Sequence, residues 1–260
     1  QNAVAAIGNA NQIVNVLIIT FSVISTAAMI LISQYLGAND RQKVHQLYTL
    51  SFVVNTVLSL VIGAVLLLCS GPIFQLMRVP AELMKESQQY ISIIGGCLFL
   101  QAMQLTLSSF FRSHAMMKES MIVSVVINIV NVGGNLVLIN GRFGLPALGV
   151  VGAAISSNLS RIAGLAIMFW IFYKKLGARF SLRYLRPFPK NMLRQLLHIG
   201  LPSGGESLSY NMTQIFIMTF VNLFGSVSIN TKVYASMFAM CSYLFSSAIG
   251  QASQVIVGYL

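Results

Sequence analysis

Long stretches almost free of charged residues dominate this chain and limit what it can fold into. Only 8% of its 260 residues are charged and 56% are hydrophobic, whereas a soluble domain carries about 25% charged residues. A helix that crosses a bilayer needs about 20 apolar residues. Seven stretches are long enough for one span each: 1–39, 46–77, 87–111, 120–141, 143–173, 195–231 and 233–260. The sequence therefore predicts an all-α, polytopic membrane helix bundle with seven spans.

The boundaries of the predicted helices follow the ends of these stretches. We expect residues 1–8 to be the tail of an earlier helix, followed by seven helices at 11–36, 46–70, 87–111, 117–140, 148–174, 195–222 and 230–260. The chain has three cysteines, and all of them lie in apolar stretches without motif spacing. We interpret them as small buried hydrophobic residues and not as disulfide partners or metal ligands.

The basic residues lie mainly in the connections, and they are unequally divided between the two sides of the predicted bundle. Alternate connections carry two, two and seven Lys and Arg, eleven in all, whereas the connections on the other side carry four. Cytoplasmic loops of membrane proteins are enriched in Lys and Arg. The eleven-charge side is therefore predicted to be cytoplasmic, with Gln1 outside. Because this rule accounts for the net charge of +11, the charge gives no reason to expect a nucleic-acid partner.

Two units with a basic connection between them are predicted. Residues 1–174 form an N-terminal lobe, 175–194 a basic cytoplasmic linker that contains two prolines, and 195–260 the start of a C-terminal lobe. When the chain is shifted by 224 residues, FSVISTAAMILISQYL (21–36) meets FSSAIGQASQVIVGYL with six identities in sixteen positions. Transporters are commonly built from such internal repeats. The abrupt ends of the chain lead us to expect an internal part of a longer protein.

Four segments resemble the multidrug and toxic compound extrusion (MATE) family of transporters. They are ISQYLGAND (32–40), SSFFRSHAMMKESMIVSVVINIV (108–130), LGVVGAAISSNLSR (148–161) and HIGLPSGGESLSYN (198–211). They occur in the family's order and cover nearly the whole chain. The resemblance implies helices two to eight of a twelve-helix exporter with two six-helix lobes, without the first helix and the last four. It also implies a proton- or sodium-coupled antiporter that exports amphipathic or cationic small molecules.

A single carboxylate, Glu206, interrupts an apolar stretch, and a charge at membrane depth usually marks an ion or substrate pathway. Ser203, Tyr210 and Thr213 fall on the same helix face, so we expect a polar stripe that lines a cavity. Pro202 and the paired glycines before Glu206 are expected to loosen the helix. The resemblance implies that Glu206 is the cation-coupling residue of the C-terminal lobe. The alternative is a protonated carboxyl group that bonds to a neighbouring helix.

Four further polar residues lie at membrane depth. Asn128, Asn131 and Asn135 follow one face of the fifth predicted helix. In the family this helix often carries an Asn and, four positions later, an Asp. Here the second position is Asn135, so either a substrate cavity or interhelical hydrogen bonds are possible. Arg161 could pair with Glu206, although bonding to backbone carbonyls or reaching toward the interface explains it slightly better.

The sequence shows no phosphate-binding loop and no metal-ligand spacing, so we expect neither an enzyme nor a bound cofactor or metal. The expected coupling ion is H+ or Na+. The expected partners are a small-molecule substrate and membrane lipid, with no nucleic acid, and we expect a monomer in a bacterial inner membrane. A lipid-linked saccharide flippase of the same superfamily and an ion channel remain as alternatives. A heptahelical receptor is disfavoured by the internal repeat.

Overall fold

The structure consists of long helices. The computed structural model describes residues 2–76, 81–139, 141, 147–178, 180–186, 188–222 and 226–259. Eight α-helices occur in these ranges: α1 (Asn2–Gly37), α2 (Arg41–Leu76), α3 (Ala81–Gly96), α4 (Leu98–Ser113), α5 (Met117–Leu138), α6 (Gly149–Lys174), α7 (Lys190–Asn222) and α8 (Ser226–Tyr259). A short 3-10 helix, Leu182–Leu185, precedes α7, and the described residues contain no strand. The predicted all-α class is confirmed.

The division of the chain into helices differs from the prediction at two places. Residues 2–8 belong to α1, which runs without interruption to Gly37, so they are not the tail of an earlier helix. The single helix predicted over 87–111 is instead two helices, α3 and α4, which meet at Cys97 with a bend of 50°. The break follows Gly95 and Gly96, and glycine weakens a helix because it gains backbone freedom when the helix opens.

Four helices are both long enough and apolar enough to cross a membrane, and the bent α3–α4 pair makes a fifth span if it is counted as one. These numbers refer to the part of the chain that the structure describes. The helices α7 and α8 contain 33 and 34 residues, which suffices for a crossing. They are more polar than α1, α2, α5 and α6, since α7 contains the segment LPSGGESLSYN and α8 the segment FSSAIGQASQ. Taken together, the helices form the multi-pass membrane bundle that the sequence predicts.

The helix α1 is central to the bundle, because it contacts α2, α3, α4, α7 and α8. The helices α5 and α6 form a hairpin in which small residues allow close packing. A Cβ at Gly152 would lie 2.6 Å from the carbonyl oxygen of Leu138, and a Cβ at Gly134 would collide with the Ser156 hydroxyl. Small residues at such contacts let the backbones of membrane helices approach each other.

The segment predicted to be a basic linker is packed onto the N-terminal helices. The ring of Phe180 stacks on Phe172 of α6, with 4.6 Å between centroids, and also contacts Phe52 of α2. The backbone N–H of Ser181 donates a hydrogen bond to the Thr49 hydroxyl. Because α7 begins at Lys190, the last five residues assigned to the linker are helical. These contacts, together with the Lys175–Glu119 ion pair, bring three basic connections to one end of the bundle.

Candidate functional site

The predicted polar stripe of α7 lies on one exposed face of a continuous helix. Glu206 is about 24 Å along the helix from Lys190, at 1.5 Å per residue, and its side chain is exposed. Tyr210 is 62% exposed, and the Thr213 hydroxyl donates a hydrogen bond to the Ser209 carbonyl oxygen one turn earlier. Helix α7 runs through Pro202 without an interruption in its assignment. The stripe therefore keeps regular helical spacing, and the predicted loosening is not observed.

The opposite face of α7 packs against α1. A Cβ at Gly200 would lie 2.9 Å from Cγ1 of Val23, and a Cβ at Gly204 would collide with Cγ2 of the same side chain. Gly205, the next residue, has open space at its Cβ position. Gly204 therefore permits close packing of two helices, and this packing turns Glu206 away from α1.

The asparagines of α5 do not form one common group. Asn135 donates a hydrogen bond of 3.1 Å from Nδ2 to Oδ1 of Asn131, and Nδ2 of Asn131 donates one of 3.2 Å to the Ser157 hydroxyl of α6. Asn128 bonds only to the Ser124 carbonyl oxygen of its own helix and is exposed. Asn131 thus joins α5 to α6 by a hydrogen bond, as expected if these amides hold the two helices together. Oδ1 of Asn135 is buried without a hydrogen bond and remains able to accept one.

Arg161 belongs to the contact between α6 and α3. Its Nη1 donates a long hydrogen bond of 3.5 Å to Oδ1 of Asn158, whose Nδ2 donates to the Ile93 carbonyl oxygen beside the α3–α4 break. No ion pair or hydrogen bond between Arg161 and Glu206 exists among the described residues, so the suggested pairing is wrong. Arg161 belongs to the α6–α3 contact, whereas Glu206 is exposed on α7.

A buried polar cluster in the N-terminal lobe escaped the sequence analysis. Asn55 of α2 is fully buried, and its Nδ2 lies 2.8 Å from the Thr106 hydroxyl of α4 and 3.2 Å from the Ser25 hydroxyl of α1. It also lies 3.3 Å from the Phe21 carbonyl oxygen. One amide thus joins three helices. Its only sequence signal was an asparagine within an apolar run, and nothing there indicated the partners.

The helices α1 and α8 meet at positions that the 224-residue repeat makes equivalent. A Cβ at Gly258 would lie 2.7 Å from Cβ of Ser33, and it would be 3.7 Å from the backbone nitrogen of Gln34, which corresponds to Gly258 in the repeat. A groove of about 340 Å³ lies beside this contact, with Gln34 on one side and Gln254 on the other. The two helices therefore touch within one residue of the positions that the repeat pairs.

A histidine at the end of α4 is partly buried against an aromatic cluster. His114 and the Tyr48 hydroxyl share a hydrogen bond, and Tyr48 in turn packs on Phe110 and Phe172. Burial lowers the pKa of His114 from 6.5 to about 4, and repulsion from His45 acts in the same direction. The described residues contain no group of three His, Cys, Asp or Glu side chains that could hold a metal ion.

Comparisons with known proteins identify relatives for nearly the whole chain. The MatE family model matches residues 1–137. The uncharacterized transporter YisQ of Bacillus subtilis is 37% identical over 258 residues, which are 99% of this chain and 57% of YisQ. The probable multidrug resistance protein YoeA of the same organism is 28% identical over 242 residues, 90% of this chain and 51% of YoeA. The chain thus spans little more than half the length of these curated relatives.

A solved structure with the same fold is a mutant form of the Vibrio cholerae MATE transporter VcmN. Its TM-score is 0.88 at 20% sequence identity, over 98% of this chain and 57% of that one. At this identity the likeness establishes the helical architecture alone. The described helices therefore form more than half of a known transporter fold.

Proposed function

Because this chain belongs to the MATE family of membrane transporters, we propose that it forms part of a cation-coupled antiporter that exports amphipathic or cationic small molecules. The proposed transport cycle is alternating access, in which two lobes rock about the contact between α1 and α8. Residues 1–174 would belong to one lobe and residues 195–260 to the other, with 175–194 joining them.

The observation that carries this proposal is the contact between Ser33 and Gly258. In parallel-repeat transporters the two halves are related by an axis along the membrane normal, and the substrate site lies between them. Two repeat-related helices that touch near one end leave a cleft toward the other end. The touching end is the one with eleven Lys and Arg. We infer a state closed toward the cytoplasm, because cytoplasmic connections are enriched in Lys and Arg.

Glu206 is the proposed coupling residue. It is the only carboxylate of α7, it lies at membrane depth, and its side chain forms no ion pair or hydrogen bond within the described part of the chain. A carboxylate without a counterion can bind a proton, a sodium ion or a cationic substrate. If these ligands compete for one charge, binding of one favours release of another, and the ligands bias the two states of the cycle differently.

Transport by purified protein in liposomes tests the proposal. The natural, full protein is reconstituted in liposomes, and a proton or sodium gradient is imposed. Uptake of a fluorescent lipophilic cation is then measured. We expect accumulation against the substrate gradient, which collapses when an ionophore dissipates the driving gradient. Movement of the cation only down its own gradient, independent of the imposed ion gradient, would identify a channel and refute coupled antiport.

A further inference from the structure

A basic cavity of about 870 Å³ lies at the end of the bundle whose connections together carry eleven Lys and Arg. Its walls come from the end of α1, the start of α2, the 3-10 helix and the start of α7. Four cationic side chains line it: Lys43, Arg183, Arg186 and Lys190. No carboxylate lines it among the described residues, so the cavity concentrates positive charge from segments far apart in the sequence.

The positive charge of the cavity is not neutralised by the protein. Asp40, the neighbouring carboxylate, already pairs with Lys43 at 2.9 Å. Glu119, the other carboxylate at this end, pairs with Lys175, also at 2.9 Å. The described residues offer no ion pair to Arg183, Arg186 or Lys190. At least three cations of the cavity are therefore free to bind an anion.

The walls of the cavity are held in place by contacts that do not involve these cations. The Tyr35 hydroxyl of α1 donates a hydrogen bond of 2.9 Å to Oε1 of Gln195 in α7. The Tyr184 ring of the 3-10 helix stacks on His45 of α2 at 6.2 Å. A site whose walls are fixed before binding loses less conformational entropy when the ligand arrives.

The chemistry of the lining selects a phosphate group. Guanidinium groups bind phosphate oxygens through two parallel hydrogen bonds, and the first turn of α7 adds the positive end of a helix dipole. Phe188, 48% exposed, lines the same cavity, and aromatic side chains favour the boundary between lipid and water. The position at the ends of membrane helices places the cavity at headgroup level.

We propose that this cavity binds the phosphate of an anionic phospholipid of the cytoplasmic leaflet. The headgroup lies among Arg183, Arg186 and Lys190, where it ties the 3-10 helix and α7 to α1 and α2. Neutral phospholipids carry the same phosphate but add a cationic group, which the basic lining repels. The site therefore discriminates phosphatidylglycerol from phosphatidylcholine.

Lipid titration of the natural protein tests the site. Protein purified in neutral detergent is titrated with phosphatidylglycerol or phosphatidylcholine, and bound lipid is counted by native mass spectrometry. The variant Arg183→Gln/Arg186→Gln is compared with Lys118→Gln/Lys174→Gln, which removes two exposed cations at the same end of the bundle but outside the cavity. Since each cation near an anionic surface contributes about 1 kcal/mol, loss of two weakens phosphatidylglycerol binding about 25-fold. The control variant keeps the parental affinity.

A second measurement leaves every charge in place, so it does not depend on the folding of the charge variants. A photo-reactive p-benzoylphenylalanine replaces Phe188 in one sample and Tyr173 in another; both side chains are 48% exposed at this end of the bundle. After irradiation of native membranes, position 188 should carry anionic phospholipid in excess of its bulk fraction, whereas position 173 should reflect the bulk composition.

Three results would overturn the proposal. Equal loss of phosphatidylglycerol binding in both double variants would show that general surface charge is responsible. Displacement of the lipid by low millimolar inorganic phosphate would identify a site for soluble anions instead. Bulk lipid composition at position 188 would show that no headgroup is selected there.

Discussion

Nη1 of Arg112, at the end of α4, donates a hydrogen bond of 2.8 Å to Oε1 of Gln251 in α8. Gln251 also donates from Nε2 to the Ser247 hydroxyl at 3.3 Å. The bond joins the N-terminal helices to α8 two turns before the Ser33–Gly258 contact, toward the end that we propose is closed. Nε of Arg112 is buried without a partner, so this arginine depends on Gln251 for much of its stabilisation.

Loss of this bond should therefore open the closed end. Gln251→Ala removes the acceptor, and a hydrogen bond to a charged group contributes about 1.5–3 kcal/mol, which corresponds to a shift of about 10- to 100-fold in the equilibrium between states. Spin labels at the ends of α1 and α8 should report a larger distance in Gln251→Ala than in the parent. Ser246→Ala, at an exposed position of α8 outside the groove beside the Ser33–Gly258 contact, is the control and should leave the distance distribution unchanged.

The adjacent glycines Gly204 and Gly205 should respond in opposite ways to alanine. Gly204→Ala places a methyl group against Val23, and overpacking of this kind costs about 1–3 kcal/mol. Gly205→Ala enters open space and gains up to about 1 kcal/mol of helix propensity. Thermal unfolding in detergent should rank the proteins Gly205→Ala, parent, Gly204→Ala in decreasing stability. Adding Val23→Ala should restore Gly204→Ala, and the absence of such rescue would place the strain elsewhere.

The helices were predictable from the sequence because a bilayer leaves a backbone few alternatives. Unpaired N–H and C=O groups are so costly in lipid that each long apolar stretch must be helical. The sequence did not predict the first turn of α7, because Lys190, Asn191 and Arg194 place residues 190–194 outside the apolar stretch. The break at Cys97 was not predicted, because it depends on how α3 and α4 pack and no proline marks it in the sequence.

The candidate site was predictable in part. The helical spacing of Ser203, Glu206 and Tyr210 already placed them on one face, and α7 keeps that spacing. The direction of this face depends on the packing of Gly204 against α1. The spacing of residues along α7 contains no information about that packing. Asn55 shows the same limit, because its partners lie on two other helices. Spacing along one helix is local, whereas orientation between helices is a tertiary property.

The stability of the protein should decrease as the pH is lowered, because of the shifted pKa of His114. In the folded protein its pKa is about 4, because burial disfavours the charged ring, whereas an unfolded histidine has 6.5. Between these values the unfolded chain binds more protons, so the free energy of unfolding decreases as pH decreases, by up to about 1.4 kcal/mol per pH unit. Melting temperatures from pH 7 to 4.5 should show the decline. It should be reduced in His114→Gln but retained in His198→Gln, which alters an exposed histidine.

The two ends of α5 should be accessible from opposite sides of the membrane. The helix has 22 residues and spans about 33 Å, and the exposed residues Lys118 and Leu148 lie near its two ends. In a cysteine-free background, Lys118→Cys should react with an impermeant maleimide only from the cytoplasmic side, and Leu148→Cys only from outside. Labelling of both from one side would contradict the predicted topology.

Replacement of Glu206 should separate ion coupling from folding. The side chain is exposed on α7 and has no ion pair within the described residues, so Glu206→Gln loses no structural contact and should be expressed and fold like the parent. The amide can neither exchange a proton nor supply a negative charge to a bound cation, and typical coupling between two ligands changes affinity by about 5- to 150-fold. Gradient-driven efflux by reconstituted protein should therefore fall to the background of empty liposomes.

Two companion variants complete the Glu206 experiment. Glu206→Asp keeps the charge on a shorter side chain and should retain part of the efflux. Ser203→Ala removes a polar group from the same face without altering charge and should change the apparent substrate affinity more than the ion dependence. Because Arg161 bonds to Asn158 and not to Glu206, Arg161→Ala should affect stability more than coupling. If Glu206→Gln transports at the parental rate with the parental ion dependence, the coupling carboxylate lies elsewhere in the protein.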